Sequence, residues 1–272
     1  MAKDELAVAA VQLCSQADVA QNLERCRELC RRAKARGAEV VLLPENFAFF
    51  GPEADKRRLA EPLEGGTIVS ALREMARENA VTVIGGGFPE LSADPARPHN
   101  TLVVVAPDGS LVASYRKLHL FDVELGGGGS YSESAATSPG SAVVVVDVAG
   151  FKLGLSICYD LRFPELYRRL AFAGARILMV PSAFTFPTGE AHWEPLIRAR
   201  AIENQAYVIA PAQFGPNIYG YSDYGNSMIV DPWGRVLARA ADQEGVVVAP
   251  IDLEYQDRVR SELPALKHAR LR

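Results

Sequence analysis

The sequence predicts an α/β protein folded as a four-layer α-β-β-α sandwich. Short β-branched or alternating runs outnumber helical stretches by about three to one. Two turns of one design, Ala106-Pro107-Asp108-Gly109 and Asp231-Pro232-Trp233-Gly234, each join two such runs, one turn in each half of the chain. Proline presets φ and glycine accepts the left-handed position, so both turns read as hairpins. A single doubly wound sheet would carry fewer hairpins and more crossover helices, so two similar sheets back to back with helices outside fit the pattern better.

Taken in order, apolar alternation marks a first strand over 6–13, and helical periodicity then runs over 18–36, with Gly37 placed as a stop. A strand over 39–43, a helix over 66–79 and strands over 81–85, 101–105 and 111–115 follow, the last two joined by the first hairpin. Strands over 142–148 and 152–157 lead into a helix over 164–173, then a strand over 177–180 and a helix over 191–205. Strands over 207–210, 227–230, 236–240 and 246–251 complete the pattern. The glycine run at 126–129 has neither a following Gly-Lys-Ser/Thr nor G-x-G-x-x-G spacing, so it reads as a mobile loop and not a phosphate cradle. The stretch after 251, rich in Arg, Lys and Glu, reads as a solvated extension or one laid against a dimer interface.

The chain has 272 residues, 49% of them hydrophobic, enough for one large core, and is read as one domain over 1–272. A net charge of −4 offers no basic surface to nucleic acid or anionic lipid, so a small molecule is the expected partner. Apolar runs such as 142–146 and 177–180 fall far short of the ~18 residues of a membrane span. Two acids near the start, where a signal peptide needs a basic region and an apolar one, make a cytoplasmic location the expectation. The four cysteines, at 14, 26, 30 and 158, are too few and irregular for a disulfide framework, so reduced thiols are expected. Cys26 and Cys30 lie four apart on a helix, but no second Cys/His pair accompanies them, and they read as packing residues, not zinc ligands.

Chemistry concentrates where apolar runs end on reactive groups. Cys158 closes the run Leu153-Gly154-Leu155-Ser156-Ile157 and precedes a polar turn and a helix start. A thiol between a strand end and the positive N-terminus of a helix is expected to have its thiolate favoured. Glu45 and Lys117 end comparable runs, in Val40-Val41-Leu42-Leu43-Pro44-Glu45 and Leu111-Val112-Ala113-Ser114-Tyr115-Arg116-Lys117. Nucleophilic attack on an amide needs a nucleophile, a base that later returns the proton to the leaving nitrogen, and donors for the oxyanion. Cys158, Glu45 and Lys117 supply those roles in type, and the backbone N–H of Tyr159 is a second oxyanion donor. Sequence separation leaves their closeness open.

These segments carry a resemblance. The blocks Leu43-Pro44-Glu45, Tyr115-Arg116-Lys117-Leu118-His119-Leu120-Phe121-Asp122 and Ile157-Cys158-Tyr159-Asp160-Leu161-Arg162-Phe163-Pro164-Glu165-Leu166 resemble the nitrilase, or carbon-nitrogen hydrolase, superfamily over nearly the whole chain. That resemblance implies an α-β-β-α sandwich, a Glu-Lys-Cys triad formed by Glu45, Lys117 and Cys158, a thioester mechanism without metal or other cofactor, and a homodimer. It also maps a second glutamate onto Glu133, which would hold Lys117 charged. Within the superfamily the blocks look most like deaminated glutathione amidases, with ω-amidases sharing Lys-x-His-Leu-Phe-Asp; other carbon-nitrogen hydrolases remain alternatives. Arg162 is a candidate grip for a substrate carboxylate or a partner of a nearby acid such as Glu165, and Phe184 lines the pocket by position. His119 and His192 are assigned structural hydrogen bonds.

Two rival readings stand beside this one. Gly154-Leu155-Ser156-Ile157-Cys158 almost spells the G-x-S-x-G elbow of serine hydrolases but lacks the final glycine. A sandwich-fold binding protein without catalysis is the non-enzymatic alternative.

Overall fold

A computed structural model describes residues 5–125, 129–218 and 220–271. Its first half runs β1 (Glu5–Gln12), α1 (Val19–Ala35), β2 (Val40–Leu42), α2 (Glu53–Arg58), α3 (Thr67–Asn79), β3 (Thr82–Glu90), β4 (His99–Val105) and β5 (Leu111–Arg116). A ribbon of β6 (Asp122–Leu125) and β7 (Gly129–Ser132) follows. The second half runs β8 (Val145–Val148), β9 (Phe151–Leu155), α4 (Pro164–Phe172), β10 (Ile177–Met179), α5 (Phe186–Asn204) and β11 (Tyr207–Ala210). It continues through β12 (Phe214–Pro216), β13 (Ser222–Tyr224), β14 (Met228–Val230), β15 (Val236–Arg239), β16 (Gly245–Asp252), α6 (Leu253–Glu262) and α7 (Ala265–His268).

Two six-stranded sheets form, in the orders β16-β1-β2-β3-β4-β5 and β15-β14-β11-β10-β9-β8. Each has three parallel strands at its centre, β1-β2-β3 and β9-β10-β11, extended by an antiparallel hairpin. The hairpins turn at the two Pro-x-Gly sites expected from sequence, where Gly109 and Gly234 both take φ of +84°. One element departs from the half-by-half expectation: β16 returns to the first sheet and pairs antiparallel with all of β1.

Period-two alternation sets the layers. Val8, Ala10, Leu42, Ile84, Leu102 and Val104 share one buried cluster with Leu153, Leu155, Ile177 and Met179 of the second sheet and with Tyr167, Leu170, Trp193 and Ile197 of α4 and α5. Their neighbours Ala9, Val11, Val41, Val83, Val103 and Val105 belong to a second cluster with Leu23, Leu29, Ile68 and Leu72 of α1 and α3. The order is helices, sheet, sheet, helices, as predicted. Each fully buried Val, Leu or Ile among them contributes about 1.5–3 kcal/mol of transfer free energy. Cys26 and Cys30 are fully buried in the second cluster as packing residues.

Two stretches differ from the sequence expectation. Helix α5 begins five residues earlier than 191, spanning Pro187, Gly189 and Pro195. Proline in a first turn costs nothing, because its missing N–H would be unpaired there anyway. A Cβ on Gly189 would lie 2.2 Å from Tyr224 Cβ, so glycine is the residue that lets α5 close on β13. The stretch after 252 is not an extended tail: it forms α6, capped by Asp252, which accepts from the Tyr255 N–H at 2.9 Å. Buried Gln256 donates to the carbonyls of Arg176 and Gln205, both at 2.9 Å, and Arg260 donates to the Gln205 carbonyl at 3.0 Å. These fixings are polar, so hydrophobic periodicity does not report them. The loop read into the glycine run lies, at 126–128, outside the described residues.

Candidate active site

The turns after β2, β5 and β9 meet at one end of the sandwich, where loops of both sheets leave the paired strands. Glu45 follows β2 in a tight turn, with Asn46 at φ +59° and its N–H donating to the Gly87 carbonyl at 3.0 Å. The bend presses Pro44 against β3, where a Cβ on Gly86 would sit 2.1 Å from the Leu43 carbonyl oxygen and 2.5 Å from Pro181 Cβ. Gly86 therefore lets the strand pass beneath both loops. Lys117 extends β5 by one residue and its N–H donates to the Asn100 carbonyl at 2.9 Å. Cys158 opens a short 3₁₀ turn, Cys158–Arg162, with φ of +48° and its N–H donating to the Pro181 carbonyl at 2.9 Å. A left-handed φ costs about 1–3 kcal/mol at a non-glycine residue.

Side chains converge from these turns. Lys117 Nζ donates to Glu45 Oε1 at 2.9 Å and to the two Glu133 oxygens at 3.0 and 2.9 Å. Asn100 Nδ2 donates to the same Glu45 oxygen at 2.9 Å, and the Ala183 N–H reaches Glu45 Oε2 at 3.2 Å. Glu133 is fixed from behind by the Phe121 N–H at 2.7 Å. The Cys158 thiol faces Glu45 and approaches the Ala183 carbonyl at 3.8 Å. Lys117 and Glu45 side chains are only 2% and 5% exposed, so their attraction acts at low dielectric.

Charge states follow from that packing. Burial disfavours the Lys117 ammonium, but Glu133 and Glu45 outweigh it and hold the lysine well above its ordinary range. Burial likewise opposes ionised Glu133, yet Lys117 and the Phe121 N–H hold its carboxyl below the usual range. The Cys158 thiol is pushed well up, first by burial and next by Glu45, against the pull of Lys117. The expectation of a favoured thiolate is thereby corrected: desolvation and a facing carboxylate favour the thiol.

A family model described as carbon-nitrogen hydrolase matches residues 7–261. A deaminated glutathione amidase of Synechocystis sp. is 44% identical over 96% of this chain and 96% of its own. The chain belongs to the carbon-nitrogen hydrolase family. Among solved structures, the Caenorhabditis elegans NitFhit protein superposes with a TM-score of 0.92 at 40% identity, covering 99% of this chain and 66% of that one. An amidase from Nesterenkonia sp. AN1 matches at a TM-score of 0.80 and 27% identity over 95% of this chain and 98% of that one. Its structure is described as carrying acrylamide added at the active-site cysteine.

In this carbon-nitrogen hydrolase the converged groups line a cavity of about 460 Å³ that also takes in Tyr159, Arg162, Phe184, Tyr131, Tyr221 and Asp223. All seven residues singled out from sequence thus border one space. Arg162 lies over the rings of Phe184 and Tyr159, 5.3 and 5.9 Å from their centroids, and its Nη1 is 3.3 Å from His192 Nδ1. No acid pairs with it among the described residues, Glu165 included. Ser156, the rival nucleophile, is fully buried between the Tyr167 hydroxyl at 2.7 Å and the Met179 carbonyl at 2.6 Å, away from the cavity. His119 is structural, its Nδ1 2.7 Å from buried Asp160, which also accepts from the Tyr115 hydroxyl at 2.6 Å and the Ile157 N–H at 2.9 Å. Asp160 thus ties the strand bearing Lys117 to the turn bearing Cys158.

Sequence reasoning missed four contributors. Asn100 is one polar residue in a β4 run and nothing in its spacing points to Glu45. Lys56 and Glu53, paired at 2.8 Å on short α2, also line the cavity. Asp223 sits on a three-residue strand with no motif around it.

Proposed function

We propose that this protein is an amidase that cleaves small carboxylated amides through a thioester on Cys158, with deaminated glutathione as its substrate. The observation that carries the reading is the convergence of Glu45, Lys117 and Cys158 at one buried point beside an open cavity. In deaminated glutathione an oxo-acid acyl group is amide-linked to a dipeptide, and the 44% identity to an amidase named for that compound supports the choice.

Chemistry follows from the geometry. Glu45 takes the thiol proton as Cys158 Sγ attacks the amide carbonyl, so no free thiolate is required in the resting enzyme. Negative charge on the carbonyl oxygen is met by the Lys117 ammonium and the Tyr159 backbone N–H. Glu45 returns the proton to the leaving nitrogen, the C–N bond breaks, and the amine departs. Glu45 then takes a proton from water, whose oxygen attacks the thioester; the C–S bond breaks and Cys158 recovers its proton. Glu133 keeps Lys117 charged and aimed throughout. Arg162, on its platform of Phe184 and Tyr159, pairs with a substrate carboxylate.

Turnover of deaminated glutathione, α-ketoglutaramate and a simple nitrile in parallel tests the reading. Deaminated glutathione is expected to give the highest kcat/KM; a preference for α-ketoglutaramate replaces it with an ω-amidase, and absence of amide turnover overturns it. The homodimer, which rests on the family resemblance, and a cytoplasmic setting, which rests on the acids near the start of the sequence, belong to the same proposal; sedimentation velocity tests the first.

A further inference from the structure

Five acids are buried among the described residues: Glu45, Glu90, Asp160, Asp223 and Asp231. Four are well satisfied. Glu45 has Lys117, Asn100 and the Ala183 N–H; Glu90 has both arms of Arg116 and the Thr101 hydroxyl. Asp160 has two backbone N–H groups, the Tyr115 hydroxyl and His119, and Asp231 has the N–H groups of Trp233 and Arg235 with the Tyr255 hydroxyl. Asp223 stands apart. Its carboxyl, 4% exposed, accepts one hydrogen bond, from the neutral amide of Asn217 at 3.2 Å, and no cation lies within ion-pair distance among the described residues.

Asp223 is also the buried acid without a structural explanation that borders the cavity. A carboxyl needed only to hold the β12–β13 ribbon would be expected to collect donors as Asp160 and Asp231 do. Buried ionised carboxylates without a counter-charge are costly, and such groups neutralise instead.

We propose that Asp223 is a specificity-determining residue that presents a protonated carboxyl to the cavity and donates its hydrogen to an oxygen at the oxo-acid end of the acyl group. Burial first, and then the facing Glu45, raise its pKa to about 7, against the Asn217 hydrogen bond. The Cys14 thiol is the other titratable group in its electrostatic reach, and Tyr221 shares its ribbon. Lys117, Glu133, Cys158, Arg162, Lys56 and Glu53 border the same cavity. An incoming carboxylate adds negative charge, which favours the protonated form further. Arg162 then supplies the charge for acyl-end recognition, and Asp223 supplies a neutral donor that weakens as the carboxyl ionises. The proposal rests on the carboxylated-amide reading above and adds the group that senses the acyl end.

Binding of 2-oxoglutarate, the acyl product that reading implies, tests it by calorimetry without turnover. Wild type is compared with Asp223→Asn, which keeps an acceptor for Asn217 and a donor that does not titrate, and with Asp223→Ser. Wild-type Kd is expected to weaken about tenfold or more between pH 6 and 8.5, while both variants change less than about threefold, since linkage follows the group that titrates. A wild-type Kd independent of pH, an equal slope in the variants, or no binding at pH 6 overturns the proposal. pH-dependent binding lost in the variants, in a preparation that hydrolyses no amide, sustains Asp223 while sinking the amidase reading.

Discussion

The Lys117 ammonium lies 2.9 Å from Glu45 Oε1 with both side chains almost wholly withdrawn from water. A lysine so placed is held by its two glutamates more strongly than burial disfavours its charge, and Glu133 balances the pair from the other side. Lys117 therefore acts as a fixed positive pole beside the Cys158 thiol and the Glu45 carboxylate, an arrangement suited to developing negative charge on a carbonyl oxygen.

Removing that pole has two separable effects. Lys117→Met is expected to lower kcat by about 10²–10³, the usual loss for an oxyanion donor. It also leaves Glu45 and Glu133 buried without a cation, at a cost to folding of about 3–5 kcal/mol. Steady-state kinetics and chemical denaturation check the two; a folded variant with native kcat contradicts the oxyanion role.

Glu45→Gln separates base from electrostatics. Amide turnover should fall by about 10²–10⁴, the range for loss of a positioned general base. Because the Glu45 charge helps hold the Cys158 thiol up, the pH midpoint for alkylation of Cys158 should move down in the variant. Wild-type Cys158 should alkylate with a midpoint above the ordinary cysteine range. Iodoacetamide rates against pH provide the readout, and an unchanged midpoint contradicts the electrostatic account.

The glutamate behind the lysine gives a prediction about acid stability. The Glu133 carboxyl is held below its unfolded value, so the unfolded state binds more protons between the two values and stability falls as pH drops through that window. Glu133→Gln should be less stable than wild type at neutral pH, and the gap should close as pH falls below about 4.3, the ordinary glutamate value. Lys117 works the other way, its contribution fading as pH rises above about 10.4. Thermal midpoints from pH 3 to 7 check the acid limb.

Gly189→Ala is expected to force α5 away from Tyr224, because the added Cβ would meet Tyr224 Cβ, an atom that cannot swing aside. Overpacking of this kind costs about 1–3 kcal/mol. The displaced β13 carries Asp223, so KM should rise more than kcat falls. Denaturation and kinetics together measure both.

The sandwich was readable from sequence through local rules, and Glu45, Lys117 and Cys158 could be singled out there from abrupt run endings together with a family resemblance. Strand alternation, the two Pro-x-Gly turns and abrupt apolar-to-reactive boundaries are written in neighbouring residues. The return of β16 to pair with β1 is a long-range choice and leaves no local mark. Helix α6 is held by Gln256 and Arg260 on backbone carbonyls, contacts invisible to periodicity. Proline and glycine hid the first turn of α5, where one is harmless and the other required. At the site, the charge state of Cys158 was misread because burial and Glu45 act through space, whereas the sequence displays only the helix that follows. Asn100 and Asp223 sit among other polar residues on their strands, and nothing in the local pattern singles them out for the cavity.

Release of the amine product from deaminated glutathione by Cys158→Ala, beside wild type and with the thermal midpoint recorded for both, tests the central claim most directly. Loss of turnover by a factor of about 10⁴ or more in a variant that melts like wild type is the expected result, since removing a covalent nucleophile leaves at most residual catalysis from binding and oxyanion donors. A folded variant that retains wild-type turnover contradicts the thioester mechanism.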